Sequence, residues 1–195
     1  MNIKNILWAT DGSEEAGHAL QYAKYLAGLT DASITGLHVV PTSVGSLVDS
    51  LRKNKDFKAW IDGVEESTAN SFERIGKEME KSGIKFDGVM LRGVPEAKIR
   101  EFAEKTGSGL IVMGKHGHGF IESFIVGKET IKVMRNSQIP VLSVKDDKKK
   151  KSVSIKHIVV PIDFYECNES ALLYSMDLAA VTGAAVTALY ALNLD

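Results

Sequence analysis

Short apolar runs alternate along the chain with longer stretches in which apolar residues recur every three or four positions. The runs are Ile3 to Thr10, Ser33 to Val40, Phe86 to Leu91, Leu110 to Met113 and Ile139 to Val144. Each has strand length, and most are apolar at adjacent positions, as strands covered on both faces are. Between the first two runs, Ala16, Ala19, Leu20, Ala23, Leu26 and Ala27 form a small-residue helical face that can lie close to a sheet. Ser13 precedes it as a cap, and Glu14 and Glu15 suit the positive end of its first turn. From Lys58, the positions Ile61, Val64, Thr68, Phe72, Ile75 and Met79 trace a second helix that stops before Gly83. Pro95 opens a third helix marked by Ile99, Phe102 and Ala103, and Ile131, Val133 and Met134 mark a fourth that ends near Asn136. Thr42 to Asp56 is polar without a firm period and reads as a loop or short helix. This alternation predicts an α/β fold with a doubly wound parallel sheet over residues 1–145.

Asp146 to Lys156, DDKKKKSVSIK, reads as a solvated linker, its four lysines preceded by two aspartates. Beyond it the pattern starts again. Setting residue n against n+152 without gaps pairs Ile6 with Ile158, Asp11 with Asp163, Ala19 with Ala171, Leu20 with Leu172 and Tyr22 with Tyr174. The same register pairs Leu26 with Leu178, Thr30 with Thr182, Thr35 with Thr187 and Leu37 with Leu189. Residues 157–195 are therefore expected to be the strand, helix and strand that open a second copy. One such unit cannot bury both faces of its two strands. Either the molecule is a shortened version of a tandem protein, or the fragment docks on the complete domain or on another chain. The expectation is the last, a homodimer in which it docks on, or exchanges with, another copy.

The candidate chemistry lies in Leu110 to Thr130, LIVMGKHGHGFIESFIVGKET, which reads as a buried strand, a glycine-rich loop and a helix start. Glycine lets backbone amides approach an anion, and the first free amides of a helix add partial positive charge, so the loop is a candidate phosphate cradle. It is not a Walker motif, because position 122 is Glu where glycine is required and Glu129 stands where Ser or Thr is needed. His116 and His118 have no cysteine or carboxylate at ligand spacing, so no metal site is read there. No nucleophile elbow, paired catalytic carboxylates or Ser-His-Asp order stands out, which argues against fast catalysis.

The spacing Gly114-x2-Gly117-x9-Gly127 resembles the nucleotide-binding signature of the universal stress protein family, in which a Ser or Thr follows the third glycine; here that residue is Lys128. The opening IKNILWATDGSEEAGHAL and the phrases LHVV, RGVPEAKI and IPVLSV fall where that family places its strands. The resemblance covers residues 1–145 and restarts after 156. It implies a five-stranded sheet of order 3-2-1-4-5, whose ligand crevice lies at the carboxyl ends of the two central strands. It further implies that Ala9, Asp11, Val39 and Met113 surround the adenine and ribose of ATP, and that Gly114, His116, Gly117, Gly127, Lys128 and Glu129 line the phosphates, with or without Mg or Mn. Asp11 suits ribose hydroxyls as a double acceptor, and suits equally a local cap for the helix at Ser13. Lys128 offers a phosphate charge but no metal ligand, or else points to solvent in a member that no longer binds ATP.

Composition narrows the remaining choices. Hydrophobic residues make up 44% and charged residues 25%, with net charge −1, which fits a packed soluble domain and gives no reason to expect nucleic acid as the main partner. A single cysteine, Cys167, excludes an intramolecular disulfide and fits a reducing compartment. No signal peptide is visible, and the uncharged run Leu178 to Leu194 falls short of the roughly 20 residues a spanning helix needs. The expectation is a cytoplasmic, ATP-binding stress-response protein acting as a nucleotide-dependent switch, with slow hydrolysis at most. The alternative is a dimeric scaffold of the same fold that binds no nucleotide and signals by protein contacts.

Overall fold

Parallel pairing runs from edge to edge of the main sheet, with strand order β3-β2-β1-β4-β5. The computed structural model describes residues 3–41, 55–115, 128–145, 152–163 and 168–191. In chain order the sheet and its helices are β1 (Asn5–Thr10), α1 (Glu14–Thr30), β2 (Ser33–Pro41), α2 (Lys55–Lys81), β3 (Phe86–Gly93), α3 (Pro95–Thr106), β4 (Leu110–Gly114), α4 (Lys128–Asn136) and β5 (Val141–Val144). The expected strand order and class are both found. Residues Ile3–Lys149 form one compact unit and Lys150–Asp195 belong to a second.

Alternation along β1 distributes its side chains to two covered faces. Leu7 and Ala9 point toward α3 and α4, in a cluster with Leu37, Val39, Ile99, Ala103, Ile111, Met113 and Val133. Trp8 points the other way. Its Nε1 donates to the Ala16 carbonyl of α1 at 2.8 Å, and its ring meets Phe72 of α2 edge-on at 6.2 Å. Phe72 fits because Gly88 lies beneath it: a Cβ built there would sit 2.5 Å from the ring. The small face read from the sequence is the buried face of α1, namely Ala16, Ala19, Leu20, Ala23, Leu26 and Ala27.

A polar network ties the amino ends of the strands together. Asn5 Nδ2 donates to Ser33 Oγ and Thr35 Oγ1, both at 3.0 Å, and Asn5 Oδ1 accepts from Ser108 Oγ at 3.1 Å. One side chain thereby satisfies partners on β2 and on the turn that leads into β4. Longer-range charge contacts join Lys24 of α1 to Glu78 of α2, and Glu65 of α2 to Arg92 at the end of β3.

Several boundaries differ from expectation: β1 begins at Asn5 rather than Ile3, and β2 and β4 each run one residue further, to Pro41 and Gly114. α2 starts at Lys55 rather than Lys58, so Asp56 is helical; residues 42–54 of the stretch left open lie outside the described residues. β3 continues to Gly93. β5 begins at Val141 rather than Ile139, because Ser137 Oγ holds both the amide and the carbonyl of Ile139 in a local turn and Pro140 has no amide to offer a ladder.

The second unit consists of β6 (His157–Ile162), α5 (Asn168–Thr182) and β7 (Ala185–Tyr190), with β6 and β7 paired in parallel. At the offset of 152, β6 coincides with β1, and Asn5↔Ser33 becomes His157↔Ala185. The hydrogen bond from Ser33 N to Lys4 O, 3.0 Å, recurs as Ala185 N to Lys156 O, 2.9 Å. Thr30 Oγ1 to Leu26 O recurs as Thr182 Oγ1 to Leu178 O, both 2.8 Å. Asp31, with φ 55°, is matched by Gly183 at φ 72°. No helix among the described residues is long and apolar enough to cross a membrane.

Candidate functional site

The carboxyl end of β1 is shaped by three residues that use their side chains on their own backbone. Thr10 Oγ1 accepts from Gly12 N at 3.1 Å, Asp11 Oδ1 from Ser13 N at 3.0 Å, and Ser13 Oγ from Ala16 N at 3.2 Å. Gly12 takes φ +82°, a left-handed turn that an L side chain would strain. The turn drives the chain straight into α1. Ser13 is the cap expected of it, and Asp11 also makes the local contact weighed as its structural role, while remaining exposed.

β4 ends against that same turn. A Cβ built on Gly114 would lie 3.1 Å from Ala16 N, Glu15 C and Glu15 Cβ, so glycine lets the strand end closer to the first turn of α1 than a side chain would without a shift of a few tenths of an ångström. The start of the glycine-rich loop and the turn that carries Asp11 therefore adjoin, although about a hundred residues of chain separate them. Gly114 is further pinned from α4, where the buried Thr130 Oγ1 donates to its carbonyl at 3.0 Å, and from β5, whose Val144 carbonyl accepts from Lys115 N at 2.7 Å. The carboxyl ends of β1 and β4, where strand order 3-2-1-4-5 puts the switch point, thus lie side by side.

Of the ten residues expected to bind nucleotide, seven are described. Ala9, Val39 and Met113 share one buried cluster on the α3 and α4 side. Asp11 and Gly114 border the turn. Lys128 is exposed as the first residue of α4, and Glu129 beside it pairs with Lys132 at 3.0 Å. His116, Gly117 and Gly127, with His118, lie outside the described residues, as does Cys167. Open grooves of about 460 and 390 Å³ lie along and beside α2, away from this site, and converge no reactive groups.

Two residues near the crevice escaped the sequence reading. Thr130 is one; its signal is a hydroxyl on the face of α4 that also carries Val133, three positions on. His38 is the other. It is buried beside Thr10 in the strand register, and its Nδ1 lies 3.0 Å from the Thr10 carbonyl, which requires the ring to donate from Nδ1. Burial lowers its pKa from 6.5, opposed in smaller measure by the Thr10 carbonyl and the Asp11 charge. A lowered pKa means that the unfolded chain takes up the proton first as pH falls. The His38 contribution is thus complete above about pH 6.5 and lost below it. The thermal midpoint is expected to fall between pH 7 and 5, and His38→Asn, which keeps a donor without titrating, should flatten that slope. An equal slope in the variant would refute the assignment.

A model of the Universal stress protein family matches residues 2–145. Universal stress protein MJ0531 of Methanocaldococcus jannaschii is 34% identical over 148 residues, covering 75% of this chain and 84% of its own. MJ0577 of the same organism is 33% identical over 153 residues, covering 73% and 94%. Its solved structure superposes with a TM-score of 0.66 over 76% of this chain and all of its own, at 30% identity. A universal stress protein from Archaeoglobus fulgidus matches the whole chain and 69% of its own at TM-score 0.77 and 22% identity, a likeness of fold that extends through the second unit. Another protein of this fold, solved in complex with cAMP, matches 74% of this chain and 98% of its own at TM-score 0.53 and 18% identity.

Proposed function

Because the chain belongs to the universal stress protein family, we propose that its first unit binds ATP at the carboxyl ends of β1 and β4, and that occupancy rather than turnover is its signal. The observation that carries this reading is the approach of Gly114 to the first turn of α1, which sets the glycine-rich loop beside Asp11. Asp11 would accept from the ribose hydroxyls, and Ala9, Val39 and Met113 would floor the adenine. The amides of Gly114, Gly117 and Gly127, with His116, Lys128 and Glu129, would line the phosphates.

The two helix starts differ in what they offer an anion. That of α1 carries Glu14 and Glu15, and its Ala16 and Gly17 amides are already bonded to Ser13. α4 begins with an exposed lysine, and is the better phosphate end. Lys128 lends no lone pair to a metal, while Thr130 Oγ1 spends only its proton on Gly114 and Glu129 pairs with Lys132 through Oε1, leaving Oε2 buried without a partner. Mg or Mn bound beside the phosphates would find Glu129 Oε2 as a donor, and no step is assigned to it. Bound phosphates would tie the loop between Gly114 and Gly127 to α4, changing a surface that partners meet. The reading places the protein in the cytoplasm as a stress-responsive dimer. It comprises a nucleotide-binding domain at 1–145, a linker at 146–156 and a partial second copy at 157–195.

Calorimetric titration of ATP, with cAMP as the second ligand because a protein of this fold was solved with it, tests the proposal. Asp11→Ala should weaken ATP binding about ten- to a hundred-fold, the worth of hydrogen bonds to a charged acceptor. Lys128→Ala should cost less and lose its effect as salt rises. No heat and no thermal shift with either nucleotide would leave the scaffold reading in its place.

A further inference from the structure

The first turn of α4 sets opposite charges side by side at the end of the crevice to which the phosphates are assigned above. Lys128 is exposed and Glu129 follows it directly. Glu129 Oε1 takes the ion pair with Lys132 at 3.0 Å. Its Oε2, although the side chain as a whole is 44% exposed, is buried and meets no hydrogen-bond donor. A buried carboxylate oxygen without a donor or a cation is costly. The next residue, Thr130, is buried with its hydroxyl on the Gly114 carbonyl at 3.0 Å, so Glu129 belongs to the turn that closes on the end of β4. Across from it α1 opens with Glu14 and Glu15, and Glu15 Cβ lies 3.1 Å from where a Cβ on Gly114 would be. Carboxylates thus stand on both sides of Gly114, and beside a bare triphosphate they are repulsive unless a cation intervenes.

We propose that Glu129 makes the site selective for nucleotide that carries a divalent cation, with Oε2 as the protein's donor to Mg or Mn held by the phosphates, so that free ATP is the poorer ligand. This rests on the ATP reading above and names the species that the site takes. Mg and Mn prefer oxygen donors, and commonly join one or two protein carboxylates to phosphate oxygens. Lysine at position 128 supplies charge but no lone pair. Attraction and metal donation, which a single hydroxyl would combine, are therefore divided between neighbours. Lys128 draws the phosphates in, and Glu129 opposes them unless the cation comes with them.

The test is calorimetric titration of the 195-residue chain with ATP, once with Mg and once with a chelator in its place, beside the same pair of titrations on Glu129→Gln. The wild type should bind Mg-ATP at least about tenfold more tightly than free ATP. In Glu129→Gln the two affinities should converge, free ATP gaining because the repulsion is gone and Mg-ATP losing because the donor is gone. These opposite shifts separate the role from a fault in folding, which would weaken both forms together. With Mn in place of Mg, the electron paramagnetic resonance of the wild-type complex should differ from that of the variant. A preference for Mg-ATP that survives the substitution, an equal loss of both forms, or identical Mn spectra overturns the role of Glu129 and leaves ATP binding standing. Failure of the wild type to bind either form overturns both.

Discussion

Replacing Gly114 with valine is expected to cost about 3 kcal/mol of stability, roughly 10 °C in the melting of the first unit, and to abolish ATP binding at temperatures where the variant stays folded. The reason is positional. The new Cβ alone would lie 3.1 Å from two backbone atoms of α1 and from Glu15 Cβ, and none of these is the far end of a flexible side chain. β4 or the start of α1 has to retreat, and the retreat parts the loop from Asp11. Gly17, four residues past the capping Ser13, provides the contrast: nothing lies within 4 Å of a Cβ there. Gly17→Ala should raise stability by about 0.5–1 kcal/mol, because alanine favours a helix interior. Equal tolerance of both substitutions would show that β4 and α1 do not meet as closely as described.

Asn5→Leu is expected to cost a similar amount, about 3 kcal/mol, though it lies at the opposite end of the sheet and should leave ATP affinity unaltered in the folded protein. Leucine removes three hydrogen bonds at once, to Ser33, Thr35 and Ser108, and strands the buried Thr35 hydroxyl, while Ser108 keeps Thr106 as a partner at 2.9 Å. Asn5→Asp should cost less, since hydroxyls can turn and donate to a carboxylate. Denaturant unfolding followed by tryptophan fluorescence, to which buried Trp8 and exposed Trp60 both contribute, measures both. A loss below about 1 kcal/mol for leucine would mean that the network is incidental to holding β1, β2 and β4 in register.

Local pattern made much of this fold legible. The Ser13 cap, Pro95 at the start of α3, the small face of α1 and the buried parity of β4 follow from residues within one turn or one strand of each other. The strand order came from resemblance to a family, not from periodicity. What stayed hidden is non-local. Asn5 meets Ser108 across 103 residues, Phe72 settles over Gly88, and Thr130 reaches back to Gly114. A polar residue at the end of an apolar run looks alike whether it faces solvent or closes a network, and so His38 passed as one more strand residue. β5 was read too long because the competing turn at Ser137 depends on a hydroxyl that periodicity does not register.

The central claim is that Asp11 and the glycine-rich loop serve one ligand. Amide NMR of the labelled protein during addition of ATP tests this most directly. The account predicts that Gly12 to Ala16, Gly114 and Lys115, and Lys128 to Thr130 shift together with one saturation curve, and that the amides of β6 and β7 stay still. Shifts confined to one of those three segments, or centred on the grooves beside α2, would contradict it.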